Sequence, residues 1–356
     1  MTKPTFDPNA AMRLQAQLAV DFAGALTSAL AYIGDRLGLF RILADGKPRT
    51  SETLAEEAGL AERYVREWAS ALVASEYLTY DPETNTYRMA AEEAAVLVDA
   101  DSPFYSAGSY LYAQACVRQV APLMDAFRNG GGVSFTDFGP EISEAIEKLY
   151  ANGYRDAVAN QWIPAVPGLV ERLERGARVA DVGCGGGRAL ISVASRYVSC
   201  RCTGYDLDPT SLERARVAAA QRGLADRVAF ELRAAEDLPQ DTAYDLIMAF
   251  NCIHDMAQPA AALRGIRRAL ATDGWFLWSE APASDRLEEN TGLLGRSLYG
   301  ASCMHCMTVS LVNGGAGLGT VVGEGTVRRL ASEAGFSSCE VLPVEHQLHR
   351  IYALTK

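Results

Sequence analysis

Basic residues are in the minority in this chain of 356 residues. It has 33 lysines and arginines against 44 aspartates and glutamates, which gives a net charge of −11. A protein this acidic has little to offer the phosphate backbone of DNA or RNA. We therefore expect no nucleic acid partner.

Long apolar segments are also lacking. No apolar run reaches the roughly 18 residues that a membrane span needs, and the first residues have no apolar core of the kind a signal peptide carries. The eight cysteines are scattered, and no Cys-x-x-Cys pair repeats at zinc-binding spacing. We expect a cytoplasmic protein with free thiols and no membrane partner.

Changes of pattern along the chain predict three parts, since a chain of this length exceeds one ordinary hydrophobic core. Residues 1–100 are helical and then briefly strand-like, residues 101–170 are helical and rich in aromatic rings, and residues 171–356 alternate between strands and helices. The rings of the middle part are numerous enough to form the wall of a substrate pocket. Packing between helices explains any single ring equally well.

A winged-helix pattern occupies the end of the first part. A cap at Thr50 or Ser51 begins a short helix that Gly59 ends, and a longer helix is predicted over residues 61–74. Two short strands follow, joined by a turn rich in turn-forming residues. Such a domain binds DNA or serves packing and dimerisation. The charges on its second helix cancel, which favours the second interpretation.

The last part has the pattern of an α/β domain. Short apolar strands alternate with helical segments, which predicts a mostly parallel sheet with helices on both faces. The predicted strands are 179–182, 202–206, 228–232, 246–250, 275–278, 339–344 and 350–354.

A glycine-rich loop follows the first of these strands. Gly183, Gly185 and Gly187 allow a cofactor to approach the backbone, and the next helix directs its free N–H groups at it. The nicotinamide fingerprint requires a glycine at the position of Arg188, so that fingerprint is not met. With Asp181 on the preceding strand, the loop resembles the first motif of the class I S-adenosylmethionine-dependent methyltransferases.

The end of the second strand extends this resemblance. Asp206 lies where a carboxylate can accept hydrogen bonds from both hydroxyls of a ribose. The segment Gly204-Tyr205-Asp206-Leu207-Asp208-Pro209 closely resembles the family's version of this motif. The resemblance implies that Asp206 and Leu207 bind the cofactor.

Two later segments complete the implied cofactor site. Ala235-Glu236-Asp237, after the third strand, resembles the loop that surrounds the adenine ring. Glu236, Asp237 or a backbone carbonyl would accept from the adenine amino group. Phe250 and Asn251, where the fourth strand ends, belong to the same implied site.

The resemblance implies a fold and a class of reaction. It implies a Rossmann-like, seven-stranded methyltransferase sheet preceded by a mostly helical winged-helix domain. In bacterial methyltransferases that act on small molecules, this domain serves dimerisation and builds part of the pocket. We therefore expect a homodimer that uses S-adenosylmethionine to methylate a small organic acceptor.

His254 and Asp255 follow the fourth strand, on the side where the methyl acceptor is expected. His254 is one of only four histidines, and it is a candidate general base tuned by the adjacent acid. This metal-free interpretation suits methylation of oxygen or nitrogen. The remaining pair, His346 and His349, flank the last strand and are interpreted as ordinary surface or strand residues.

A metal-dependent interpretation uses the same pair of residues. His254, Asp255 and His305 would form the two-histidine, one-carboxylate site that suits non-haem iron, with zinc as the other candidate. The three residues are similar in order and spacing to the ligands of metal-dependent 2-oxo-acid C-methyltransferases. That similarity implies a metal that stabilises the enolate of a 2-oxo acid.

Two other classes of protein remain as alternatives. A winged-helix regulator with a degenerate cofactor domain would bind DNA, which the acidic composition disfavours. A nicotinamide oxidoreductase would use the same sheet, which Arg188 disfavours.

Overall fold

The computed structural model describes residues 6–240 and 243–356. Its contacts group the chain into two compact units, one up to Gln114 and one from Ala115 onward. The three-part division at residues 100 and 170 stays a prediction.

The N-terminal unit is mostly helical. Its elements are α1 Pro8–Arg36, α2 Leu39–Leu43, α3 Ser51–Ala58, α4 Glu62–Ala74, β1 Thr79–Asp81, β2 Thr86–Arg88 and α5 Ala91–Leu97, followed by α6 Gly108–Val117. β1 and β2 pair antiparallel and form the wing. The predicted winged-helix domain is confirmed.

Capping residues set both ends of α3, the short helix that precedes α4. The hydroxyl of Thr50 accepts from the backbone N–H of Thr53 at 3.3 Å, and Gly59 ends α3 with φ of 67°. In the next helix, Trp68 is buried and donates its indole N–H to the carbonyl of Leu30 in α1 at 2.9 Å. The buried side of α4 therefore ties the short helices to α1.

The long first helix has an exposed apolar surface. Its large apolar residues are mostly in contact with solvent, Phe22 at 68% and Leu18 at 61% exposure among them. Judged by length and apolar composition alone, α1 is the one helix among the described residues that could cross a bilayer. Helices of other kinds pass the same test, so the finding carries no conclusion about a membrane.

The second unit opens with helices. They are α7 Val120–Asn129, a 3₁₀ turn Phe135–Phe138, α8 Pro140–Asn152, a π-helical segment Gly153–Trp162 and α9 Leu169–Glu174. Pro140 stands at the start of α8, where the missing N–H of proline has no cost.

A seven-stranded sheet forms the centre of this unit. Its strands are β3 Arg178–Val182, β4 Arg201–Asp206, β5 Val228–Leu232, β6 Tyr244–Phe250, β7 Leu270–Glu280, β8 Ser338–Val341 and β9 Arg350–Thr355. They lie in the order β5-β4-β3-β6-β7-β9-β8. The first five are parallel, and β9 pairs antiparallel with both β7 and β8. The predicted mostly parallel, methyltransferase-type sheet is confirmed.

Apolar side chains cover both faces of the sheet, because successive residues of a strand point to opposite sides. On β3, Val179 packs into one buried cluster and Ala180 into another. The helices that alternate with or follow these strands are α10 Arg188–Arg196, α11 Pro209–Gln221, α12 Pro259–Ala269, α13 Gly292–Ala301, α14 Met307–Leu311 and α15 Glu324–Ala334. Since both faces are covered, the carboxyl ends of the parallel strands are where a ligand can enter.

Candidate functional site

A cavity of about 500 Å³ opens at the carboxyl ends of β3, β4 and β6. Most of the predicted cofactor residues line it, namely Asp181, Gly183, Gly185, Asp206, Leu207, Ala235, Glu236, Phe250 and Asn251. Asp255 lines it as well. Within the described part of the chain, four other predicted site residues lie outside the lining: Gly187, Asp237, His254 and His305.

The glycine loop has left-handed backbone at Gly183, Gly185 and Gly187. Gly183 has φ of 66°, and a Cβ there would lie 2.8 Å from the sulfur of Cys252. Gly185 has φ of 49° and open space around it on the cavity side. A side chain at either position would strain the backbone, and at Gly183 it would also collide with the loop after β6.

Asp206 is held by the backbone at the end of β4. One carboxylate oxygen accepts from the N–H of Gly185 and the other from the N–H of Asp208, each at 2.8 Å. Each oxygen keeps a second acceptor site for a ribose hydroxyl. Burial raises the pKa of Asp206 above its usual value, and the backbone N–H donors work against that rise.

A second buried carboxyl, that of Asp181, lies at the floor of the cavity on β3. It is 3% exposed. Burial, and then the charge of Asp206, raise the pKa of Asp181 well above its usual range. The two acids therefore favour a cavity occupant that carries hydrogen-bond donors or positive charge.

The expected adenine loop is a short 3₁₀ turn after β5. Ala235 and Glu236 line the cavity there. The turn is pressed against α12, because Gly265 lies so close that a Cβ on it would be 2.2 Å from the carbonyl oxygen of Ala235. The position of this part of the cavity therefore depends on packing against α12.

Helix α8 lies over the glycine loop, which no sequence motif indicates. Glu147 accepts from Arg214 at 2.7 and 2.9 Å, and its carboxylate lies 2.4 Å from the place where a Cβ on Gly186 would be. Ser143 donates to Asp208 at 3.0 Å. Both Glu147 and Ser143 line the cavity, so α8 forms its outer wall.

Aromatic rings of the predicted aromatic segment, residues 101–170, line part of the cavity. Phe135, Tyr150 and Tyr154 are the ones that reach it. Tyr150 and Tyr154 stack at 5.7 Å, and Tyr154 also stacks on Phe250 at 5.7 Å. A flat apolar molecule fits against such a wall.

His254 is buried behind Asp255 at 2% exposure. Its Nδ1 bonds to the carboxylate of Glu280, a fully buried residue that also accepts from the indole N–H of Trp278 at 2.8 Å. Its Nε2 lies 3.2 Å from Oδ1 of Asp255. Sequence reasoning missed Glu280, which ends β7 and carries no motif of its own.

The two carboxylates decide the charge of His254. Burial lowers the pKa of His254, but Glu280 and then Asp255 outweigh this and raise it well above 6.5. This rise in pKa favours the protonated ring of His254, and Asp255 lies between the ring and the cavity.

Cys306, rather than His305, completes the group of close ligand atoms. Atoms of His254, Asp255 and Cys306 that can bind a metal all lie within 4.8 Å of one another. His305 contacts Cys306, with Nδ1 3.6 Å from the sulfur, and its ring meets Phe138 edge-on at 4.8 Å. The predicted set of His254, Asp255 and His305 stays a prediction. None of the eight cysteines forms a disulfide.

Comparisons with known proteins identify two domains in the chain. Residues 25–99 match the family of Rv2258c-like winged HTH domains, and residues 173–335 match a methyltransferase domain family. The chain therefore joins an N-terminal winged HTH domain to a methyltransferase domain.

Curated relatives match mainly in the catalytic part. The chain is 35% identical over 107 residues to a ubiquinone biosynthesis O-methyltransferase of Neisseria meningitidis, which is 30% of this chain and 44% of that protein. It is 33% identical over 93 residues to the ajmaline N-methyltransferase of Rauvolfia serpentina, or 26% and 32% of the two chains. The match thus spans less than half the length of either relative.

Solved structures match over nearly the whole chain. The mitomycin 7-O-methyltransferase MmcR has a TM-score of 0.73 at 22% identity, covering 98% of this chain and 99% of its own. Human N-acetylserotonin methyltransferase in complex with SAM has a TM-score of 0.72 at 18% identity, covering 100% and 99%. At these identities the likeness concerns the fold alone.

Proposed function

We propose that this protein transfers a methyl group from S-adenosylmethionine to a hydroxyl or amine group of a small, flat organic molecule. One observation carries the proposal: a single cavity joins Asp206, the glycine loop and the Ala235–Asp237 turn to a wall of aromatic rings and the carboxylate of Asp255. The curated relatives named above, an O- and an N-methyltransferase, support the same chemistry.

Different residues of the chain bind the cofactor and the methyl acceptor. S-adenosylmethionine supplies a methyl group that its sulfonium already activates. Asp206 accepts from the ribose, and the glycine loop lets the cofactor lie against the backbone. The rings of Tyr150 and Phe135 hold the acceptor flat, so that its nucleophilic atom is aligned with the methyl group.

Asp255 is the group that receives the proton of the methyl acceptor. It lines the cavity, whereas His254 lies behind it. Asp255 accepts a hydrogen bond from the hydroxyl or amine and receives its proton as the methyl group is transferred. The imidazolium of His254, tied to Glu280 through Nδ1, orients Asp255 and balances its charge.

Binding of S-adenosylhomocysteine tests the cofactor assignment. Asp206→Asn removes the charge that accepts the ribose hydroxyls, and we expect binding about 10- to 100-fold weaker by calorimetry. Asp226→Asn, an exposed position in the turn before β5, is the matched control and should bind as the native protein does. Equal affinity of the two variants would refute the ribose contact.

Product analysis tests the acceptor class. The protein is incubated with methyl-labelled S-adenosylmethionine and a panel of phenols, aromatic amines and phenylpyruvate. We expect label on oxygen or nitrogen. Label only on the carbon next to the keto group of phenylpyruvate would overturn the proposal in favour of C-methylation.

Metal-assisted C-methylation of a 2-oxo acid is the second candidate. The comparisons lend it no support; the close group of His254, Asp255 and Cys306 favours it. Glu280 holds the other nitrogen of His254, as carboxylates do behind metal-binding histidines. An iron or zinc ion held by these residues would supply Lewis acidity.

Metal analysis of protein purified without a histidine tag decides this candidate. A near-stoichiometric metal that Cys306→Ser removes, and that the neighbouring control Cys303→Ser retains, would support it. Metal-free protein that methylates its acceptor in the presence of a chelator would exclude it.

We also propose a second copy of this chain as the partner. The exposed apolar side chains of α1, with Phe22 and Leu18 among them, favour burial against another subunit. Nucleic acid is disfavoured, because the charges of α4 pair with each other: Arg63 with Glu67 at 2.5 Å and Arg66 with Glu62 at 3.3 Å.

A further inference from the structure

His349 is a buried histidine that the proposed reaction does not use. It directly precedes β9 and is 2% exposed. Its Nδ1 lies 2.9 Å from the amide nitrogen of Asn251 and 3.2 Å from the hydroxyl of Ser279. An amide nitrogen can only donate, so Nδ1 is an acceptor and the neutral ring carries its proton on Nε2.

Asn251 has both amide hydrogens engaged by the protein. Besides His349, it donates to the hydroxyl of Tyr154 at 3.1 Å. Its backbone is held as well: the N–H donates to the carbonyl of Ser279 at 2.9 Å, and φ is 50°. With the nitrogen of the amide occupied, the oxygen Oδ1 is the atom left for a ligand, and Asn251 lines the cavity.

The position of Asn251 indicates which part of the cofactor it meets. It ends β6, while Asp206 ends β4, and β3 with the glycine loop lies between these strands. A cofactor whose ribose lies at Asp206 and which crosses the glycine loop brings its amino acid end to Asn251. The donor at that end is the α-ammonium group, which suits an amide oxygen.

We propose that His349 is a positioning residue: by accepting from the amide nitrogen of Asn251, it fixes the amide so that Oδ1 receives a hydrogen bond from the α-ammonium group of the cofactor. This inference rests on the proposed function.

The surroundings of the ring keep it neutral. The titratable groups that contact it are His346, with ring centres 4.6 Å apart, and Tyr150 and Tyr154, each at 5.3 Å. Burial, and then His346, lower the pKa of His349 well below 6.5. A proton on Nδ1 of His349 would turn this hydrogen-bond acceptor into a donor. The hydrogen bond from the amide nitrogen of Asn251 would then be lost.

Packing also fixes the ring in place. A Cβ on Gly153 would lie 3.1 Å from Nε2 of His349 and 3.2 Å from Nε2 of His346. The two rings therefore pack directly on the backbone of the π-helical segment. His349 reaches Asn251 without freedom to turn away.

Two substitutions separate the hydrogen bond from the packing. His349→Asn keeps an acceptor where Nδ1 lies, and His349→Leu removes it. We expect His349→Leu to weaken binding of S-adenosylhomocysteine about three- to tenfold by calorimetry at neutral pH, and His349→Asn to bind nearly as the native protein does. His346→Asn is the packing control: this ring packs against that of His349, but its Nδ1 accepts from the N–H of Leu348 at 3.1 Å and not from Asn251.

A double-mutant cycle distinguishes a positioning role of His349 from a purely structural role. Asn251→Gly removes the amide and suits the positive φ. If His349 acts through Asn251, adding His349→Leu to Asn251→Gly causes no further loss of affinity. An additive loss overturns the proposal.

The pH dependence supplies a second readout. Affinity of the native protein should fall only as the pH drops through the lowered pKa of His349, well below 6.5, and His349→Asn should lack this part of the fall. Identical pH profiles, or unchanged affinity in folded His349→Leu, overturn the proposal. Native protein that does not bind S-adenosylhomocysteine at all refutes the proposed function instead.

Discussion

At the scale of single residues, the most informative group is the buried row of Glu280, His254 and Asp255. Glu280 is fully buried, and Asp255 lines the cavity. A charged imidazolium between them is stable because each of its nitrogens faces a carboxylate. Of these three residues, Asp255 is the one that lines the cavity, and the other two lie behind it.

Removing the charge of Glu280 should change the titration of His254. In Glu280→Gln, we expect the pKa of His254 to fall, because the first of the two carboxylates that raise it is gone. Nitrogen NMR of the imidazole rings checks this, and four histidines keep the spectrum simple. Glu340→Gln, on exposed β8, should leave the titration of His254 as it is.

The same raised pKa predicts how stability depends on pH. The folded state binds the proton of His254 more tightly than the unfolded state, so this contribution is fully present below pH ~6.5 and is lost as the pH rises through the folded pKa. Urea unfolding of native protein and His254→Gln should give free energies of unfolding that converge toward high pH. A constant difference would contradict the shift.

At the scale of elements, helix packing decides the geometry of the cavity. α8 covers the glycine loop through Glu147, and α12 supports the turn Ala235–Asp237 through Gly265. The sequence predicts a helical segment between the fourth and fifth strands and a loop at Ala235-Glu236-Asp237. It does not predict that they touch, because the contact joins two backbones and leaves no side-chain signature.

The contact at Gly265 makes a specific prediction. Gly265→Ala would bring a methyl group 2.2 Å from the carbonyl oxygen of Ala235. Backbone cannot move aside as a flexible side chain can, so we expect a loss of about 1–3 kcal/mol in the free energy of unfolding, with weaker S-adenosylhomocysteine binding.

Gly300→Ala is the matched control for that substitution. Gly300 is also helical, in α13, but a Cβ there would meet nothing within 4 Å. Alanine favours the helix, so this variant should be at least as stable as the native protein. Equal effects of the two substitutions in urea unfolding would show that the contact with Ala235 has no energetic role.

At the scale of the whole molecule, the exposed apolar face of α1 predicts a dimer. The native protein should elute at twice 38.3 kDa in size-exclusion chromatography with light scattering. Phe22→Asp places a charge on that face and should shift the protein to monomer. Tyr64→Asp, at a still more exposed ring on α4, should remain a dimer, and a dimeric Phe22→Asp would place the interface elsewhere.

The sequence by itself determined the winged helix, the parallel sheet, the glycine loop and Asp206. These features follow from local patterns: alternation of apolar residues, caps, and glycines whose backbone angles other residues resist. Only the tertiary structure decided that Glu280 stands behind His254, that Cys306 joins the group of close ligand atoms, and that buried His349 holds Asn251. Those contacts join residues up to 98 positions apart, and packing of distant segments leaves no trace in a local pattern.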